Sequence, residues 1–374
     1  MKFGLNRYFL YLIFLNMLVN IVMFVPKLLI QYRFDGAVMG IILAIPISII
    51  LTILLCKAFS VFPSQGLPEI LDGTVHPRIK VLLLGVTQLF WFSAGLFSLL
   101  TITDIIIRFL NPESPKWLVI SIYLVAVCFI MLMPTKRVMY YLEIVLFLNT
   151  PLILFILFKV LSSNYISWDA ILEVGTYVFN PPNFKTIATA TFTFSGYTNL
   201  FIFNRVIHSK IKASNIGAIS ILGALNLFTS FLMPIGMFGA DGTHELLYPW
   251  IITSDSVRLV YSPIERALFL LIMLYMSISL ISASIHWHVS LELIKGMFKN
   301  QMSIKSKWIV LALFVTITII GAYTLDTLKL IKITSYWLIF RFFSEVVIII
   351  LFFVWSKWRS DNQSKQSQKP TIKI

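Results

Sequence analysis

IATATFTFSGYTNLFIFN, residues 187–204, is the stretch on which the reading of this chain turns. Its two flanks are apolar enough for a membrane span. Its centre, Ser195-Gly196-Tyr197-Thr198-Asn199, carries hydroxyls, an amide and a glycine where lipid favours leucine. Non-helical backbone at membrane depth persists only where protein buries it or where it lines a water-filled cavity. Many transporters build their substrate site from helices interrupted in this way.

The surrounding sequence supplies the membrane. The 374 residues are 58% hydrophobic and only 12% charged, with mean hydropathy +0.89. A soluble domain carries about 25% charged residues. The composition defines an all-α polytopic membrane protein. A β-barrel would show alternating segments of about ten residues, and these apolar runs are continuous. A span needs about 20 mostly apolar residues. Ten transmembrane helices are predicted, at about 8–30, 37–59, 80–103, 117–134, 138–160, 187–204, 214–240, 264–287, 308–325 and 336–355. They divide a domain over residues 1–356 into two five-span halves, about 8–160 and 187–355. The remainder, 357–374, is rich in Lys, Gln and Ser and reads as a disordered cytoplasmic tail.

Loop charge sets the orientation. With the N-terminus inside, nineteen of the 30 Lys and Arg residues fall on the cytoplasmic side. Asp104, Glu113, Asp169, Glu173, Asp241, Glu245, Asp255 and Asp326 fall outside. Both termini are then cytoplasmic. The net charge of +14 reflects topology and attraction to the anionic surface of the lipid bilayer, with no nucleic-acid partner implied. Residues 60–79 form a long inner loop with three prolines. Residues 241–263 form a long outer loop with an apolar middle, either a surface or re-entrant helix over an outer vestibule or an ordered loop without a gating role.

Polar groups inside a membrane are costly and mark function by default. Asn16 and Asn20 share one face of span 1, and Pro26 follows, able to break the helix. Spans 1 and 6 open the two halves, and matching interruptions there point to a binding site. The asparagines serve equally well as interhelical hydrogen-bond partners. Gln88 lies deep in span 3. Gly196 permits backbone conformations closed to other residues, and half-helix N–H groups there suit an anionic group such as a carboxylate. Asn20, Gln88, Ser195, Gly196, Tyr197 and Thr198 are the candidate ligand-binding residues.

Other polar groups read as structural. Arg341 and Glu345, spaced i, i+4, neutralise each other on one helix face. Asp104 sits at the outer interface. Glu143 pairs with Lys136 or Arg137 near the inner end. Ser277, Ser279, Ser282 and Ser284 permit close packing, GAVMG at 36–40 is a small-xxx-small match, and His286 and His288 end span 8 near the headgroups. Cys56 and Cys128 read as small buried hydrophobes. No ligand spacing for a metal, no cofactor motif and no catalytic constellation is present, so enzyme is the least favoured class.

Several motifs, in order, resemble the B subunits of GerA-type nutrient germinant receptors of endospore-forming bacteria, within the amino acid–polyamine–organocation transporter superfamily. They are PKLLIQYRFDGAVMGIIL (26–43), FPSQGLPEIL (62–71), IIRFLNPESPKWLV (106–119), FSGYTNLFIFNRVI (194–207) and SPIERALFLLIMLY (262–275). The resemblance implies a LeuT-like fold of two inverted five-helix repeats, with spans 1 and 6 unwound at mid-membrane and a small-molecule germinant bound nearby. It also implies two partners, a larger A subunit and a C lipoprotein, and the inner membrane of the spore. The chain departs from the family pattern at Ser114-Pro115, where Thr-Pro is expected. It departs again after Gly196, where Tyr197, Thr198 and Asn199 replace a common acidic residue and argue against proton coupling through span 6. The rival expectation is a secondary amino-acid/cation symporter of the same superfamily.

Overall fold

The computed structural model describes residues 5–207, 213–257, 266–298 and 302–367. The first span is two helices, α1 (Leu5–Val22) and α2 (Phe24–Ile30), meeting at 57°. Pro26 accounts for the break. Its ring lacks an N–H and collides with the carbonyl four residues back, which belongs to Val22, the last residue of α1. Met23 takes the non-helical backbone, at φ −68°, ψ −143°.

α3 (Ala37–Ser60) and the short α4 (Leu67–Leu71) follow, then α5 (Pro77–Phe109), α6 (Lys116–Met131) and α7 (Thr135–Leu161). A helix, α8 (Trp168–Thr176), leads into the sixth span. That span is α9 (Phe184–Phe192), a 3₁₀ turn over Ser195–Asn199, and α10 (Leu200–Phe203). The second half continues with α11 (Ala213–Glu245), α12 (Pro249–Asp255), α13 (Ala267–Met297), α14 (Ile304–Thr324) and α15 (Thr327–Ser367). Among the described residues, seven helices are long and apolar enough to cross a membrane, or eight with α1 and α2 as one bent span. The other two predicted segments are α6, of 16 residues, and the interrupted α9–α10.

α5 and α13 pack along each other at the centre and are the most buried of the long helices. Gly95 on α5 makes this possible. A Cβ there would lie 2.4 Å from the Trp287 ring. Large apolar side chains on α6, α7 and α14 point outward, among them Val125, Phe147 and Ile309. That outward face is where hydrocarbon replaces water.

Four local expectations need correcting. α15 continues through residues 357–367 as helix instead of giving way to a disordered tail at 357, while 368–374 lie outside the described residues. α13 extends ten residues past the predicted end of span 8. His286 and His288 therefore lie within the helix instead of ending it, and His288 is 1% exposed between Met131 O and Thr135 Oγ1. Glu143 pairs with Arg7, at 2.9 Å, and accepts from Tyr8 Oη at 2.6 Å, instead of meeting Lys136 or Arg137. Asp104 is more than an interfacial charge. It accepts from Tyr248 Oη at 2.7 Å and Thr327 Oγ1 at 3.1 Å, tying α5 to the chain entering α12 and to α15. The outer segment at 241–263 contains α12, whose Trp250 and Ile251 are buried. Its residues 258–263 lie outside the described ones.

Candidate functional site

The interruption in span 6 is held by its own polar side chains and by α1. Asn16 Nδ2 donates to Phe192 O at 2.5 Å and lies 3.2 Å from Thr193 O. Thr198 Oγ1 donates to Ser195 O at 2.7 Å, and Asn199 Nδ2 to Gly196 O at 3.1 Å. These are carbonyls that a regular helix would have satisfied itself. The hydroxyls and amides that looked out of place in lipid therefore stabilise a 3₁₀ turn. From α5, Trp91 Nε1 donates to Asn199 Oδ1 at 2.8 Å.

Gly196 fixes how closely the two broken spans approach. A Cβ at this position would lie 2.3 Å from Leu12 O and 2.6 Å from Ile13 Cα. Both are backbone atoms of α1, which cannot step aside as a flexible side chain can.

Beside the turn lies a cavity of about 50 Å³. By volume it takes a few water molecules at most. Ser195 and Thr198 contribute the floor, α5 gives Thr87, Phe90 and Trp91, and α13 gives His286. α15 gives Trp337, Arg341 and Glu345. Arg341 and Glu345 form an ion pair, as their spacing predicts, and both side chains are almost wholly buried. The pair has further work to do. Tyr197 Oη donates to Glu345, while Arg341 Nη2 donates to Ala188 O and Thr191 Oγ1 at 3.1 and 3.2 Å. The carboxylate missing from the sequence of the interruption is thus delivered to it by α15.

Two residues that line the cavity, Trp337 and Arg341, each carry a donor, Nε1 and Nε, buried without a hydrogen-bond partner among the described residues. Buried donors are normally satisfied. The Arg341 guanidinium lies 5.0 Å from the Phe192 ring centroid, and Trp337 packs edge-on against Phe192 and Phe97. His286 Nδ1 meets Ser282 O at 2.7 Å. A carbonyl only accepts, so Nδ1 carries the proton and Nε2 is left as an acceptor. The site therefore combines an aromatic wall, a fixed cation with spare donor capacity and a fixed anion.

The six residues picked from sequence separate in space. Ser195 and Thr198 line the cavity. Tyr197 reaches it through Glu345, and Gly196 packs against α1. Asn20 lies one turn beyond Asn16, donating to Asn16 O at 2.7 Å, away from the cavity. Gln88 takes the Ser290 hydroxyl at 2.9 Å and joins α5 to α13. Trp91, His286, Trp337, Arg341 and Glu345 were not among the predicted site residues. The signal available for two of them was the intramembrane charge pair itself.

Broken first and sixth spans packed against each other, with a polar cavity beside the break, define a multi-pass membrane protein of the transporter fold. Solved structures bear this out. The chain is similar to Mhp1, a nucleobase-cation-symport-1 family transporter in a closed conformation with bromovinylhydantoin bound. The identity is 13%, over 86% of this chain and 73% of that one, with a TM-score of 0.51. It is likewise similar to the Eremococcus coleocola manganese transporter in complex with an aromatic bis-isothiourea substituted compound. There the identity is 10%, over 95% and 79%, with a TM-score of 0.51. Comparison with curated protein sequences finds no match. Residues 6–329 match the family described as spore germination protein, and the chain belongs to that family.

Proposed function

We propose that this protein is the nutrient-sensing B subunit of a spore germinant receptor and binds an amino acid in the cavity beside the span 6 break. The observation that carries this reading is that two residues with unpartnered donors, Trp337 (Nε1) and Arg341 (Nε), line the same cavity as the Glu345 carboxylate. An α-carboxylate satisfies the donors, and an α-ammonium is drawn to Glu345 and to the aromatic faces. A zwitterion matches a site whose own charges cancel. The cavity, of about 50 Å³, is smaller than an amino acid, so binding requires the broken helices to shift, and a ligand moves that equilibrium only by binding one state better. The reading places the protein in the spore inner membrane, with the A subunit and the C lipoprotein receiving the signal and with no catalytic role.

Trp337→Phe tests the assignment because it removes the N–H and keeps an aromatic, though smaller, ring on the wall. A hydrogen bond to a charged group contributes about 1.5–3 kcal/mol. The concentration of amino-acid germinant giving half-maximal response should therefore rise about tenfold or more, with the maximum response retained. An unchanged dose response in both Trp337→Phe and Glu345→Gln spores would remove the cavity from the proposal.

The transporter fold itself favours a second reading, an amino-acid/cation symporter. Uptake of labelled amino acid by the reconstituted protein alone would support it. A response only in the presence of the partner subunits supports the receptor.

A further inference from the structure

A second cavity, of about 110 Å³, lies between α1, α7, α11, α12 and α13 and shares no lining residue with the first. Its inner wall is apolar and buried, with Leu18, Val22, Leu271 and Leu274 each at 5% exposure or less. None of its lining residues is charged. Of the hydroxyl and amide side chains on it, Tyr275 carries a hydroxyl buried without a hydrogen-bond partner among the described residues, and the other two are engaged within the protein. Asn226 Nδ2 donates to Met17 O at 3.0 Å, and Thr229 Oγ1 to Leu225 O at 2.6 Å. Most of the wall is Leu, Ile, Val and Phe, a lining that favours hydrocarbon over water. Comparable apolar cavities of about 150 Å³ admit hydrocarbon guests and exclude water.

The mouth identifies the guest. Leu154 on α7 and Leu222 and Leu225 on α11 line the cavity yet are 59%, 39% and 45% exposed. They open onto the face where α7 also displays Phe147 and Leu148. In a spanning protein that face meets lipid tails. The medium at the mouth is hydrocarbon, and its chemistry matches the wall within.

We propose that this cleft is a lipid site, occupied by an acyl chain entering from the bilayer between α7 and α11. The chain restores the dispersion contacts that an empty apolar cavity forfeits. It also rests against Ile21 and Val22, the last residues of α1 before its break, and against Trp250 of α12. Bilayer composition then bears directly on the hinge of the first span.

The test uses the full chain, purified and reconstituted in phosphatidylcholine bilayers whose acyl chains carry a mid-chain diazirine. After irradiation, adducts are mapped by mass spectrometry. The expected result is labelling of Leu18, Leu271 or Leu274, which lipid on the outer surface does not reach, in addition to labelling of Phe147. Leu225→Trp or Leu222→Trp, each at an exposed position on the mouth, should abolish the inner adducts and leave the Phe147 adduct in place. Adducts confined to Phe147 and other outward residues in the unaltered protein overturn the proposal. So do inner adducts that persist in both plugged variants.

Discussion

Gly196 shows how much a single missing side chain carries. The two broken spans meet where it faces Leu12 and Ile13. Gly196→Ala sets a methyl against backbone, and overpacking of this kind costs about 1–3 kcal/mol. The purified variant should melt at a lower temperature, and spores carrying it should need more germinant. Gly175 is the control. It lies in α8 with open space where its Cβ would be, so Gly175→Ala should leave the melting temperature unchanged or slightly raised. Equal melting of the two variants would show that the approach of α1 to the break is not tight. At this scale the sequence told part of the story. Glycine, hydroxyls and amide at 195–199 marked the break, and spacing alone paired Arg341 with Glu345. That Glu345 also receives Tyr197 Oη was not legible, because a sequence separation of 148 closes only in the tertiary fold. Asn20 and Gln88 looked equally functional for the same reason. Periodicity shows that a polar group is buried, and only packing shows what it faces.

Whole elements were easier to read than single contacts. Apolar runs located the spans, and Pro26 located the bend, since proline acts on its own helix whatever surrounds it. Boundaries at polar ends failed. α13 and α15 continue into charged sequence, where hydropathy falls but helical hydrogen bonding does not. The apolar middle of the 241–263 segment marked α12, and Tyr248, immediately before it, ties it to Asp104 of α5. Tyr248 is 1% exposed, while the Asp104 carboxylate that accepts from it is partly exposed. Tyr248→Phe removes a hydrogen bond to a carboxylate worth about 1.5–3 kcal/mol. Local opening of α12 should become about tenfold or more frequent. Hydrogen exchange of the amides at 250–255 should quicken accordingly while the core of α5 is unaffected. Unaltered exchange there would mean that packing of Trp250 and Ile251 alone holds α12 down.

At the scale of the whole molecule, polar ties join the helices at both ends of the bundle. At the α12 end, Asp104 joins Tyr248 and Thr327, Arg33 pairs with Asp241 at 2.8 Å, and Lys27 donates to His244 O at 2.6 Å. At the α4 end, Arg205 follows α10 and holds Glu69 at 2.7 Å and Glu292 of α13 at 2.5 Å. Burial works against the Arg205 charge, but the two carboxylates outweigh it and hold its pKa above the ordinary arginine value. Removing Arg205 would cut both links from α10 while Glu292 keeps Lys295 at 2.5 Å, so the loss falls on the tie and not on an isolated buried charge. The two ends can therefore be released separately. With Cys56 and Cys128 replaced by alanine, a cysteine introduced by Thr198→Cys reports access to the cavity. Adding Arg205→Gln should speed its reaction with a membrane-impermeant thiol reagent applied from the α4 side alone. Adding Tyr248→Phe should speed the reaction only from the α12 side. Acceleration from both sides by either substitution would mean that the two ties are one coupled element, and that the cavity opens by loosening of the bundle instead of at one end at a time.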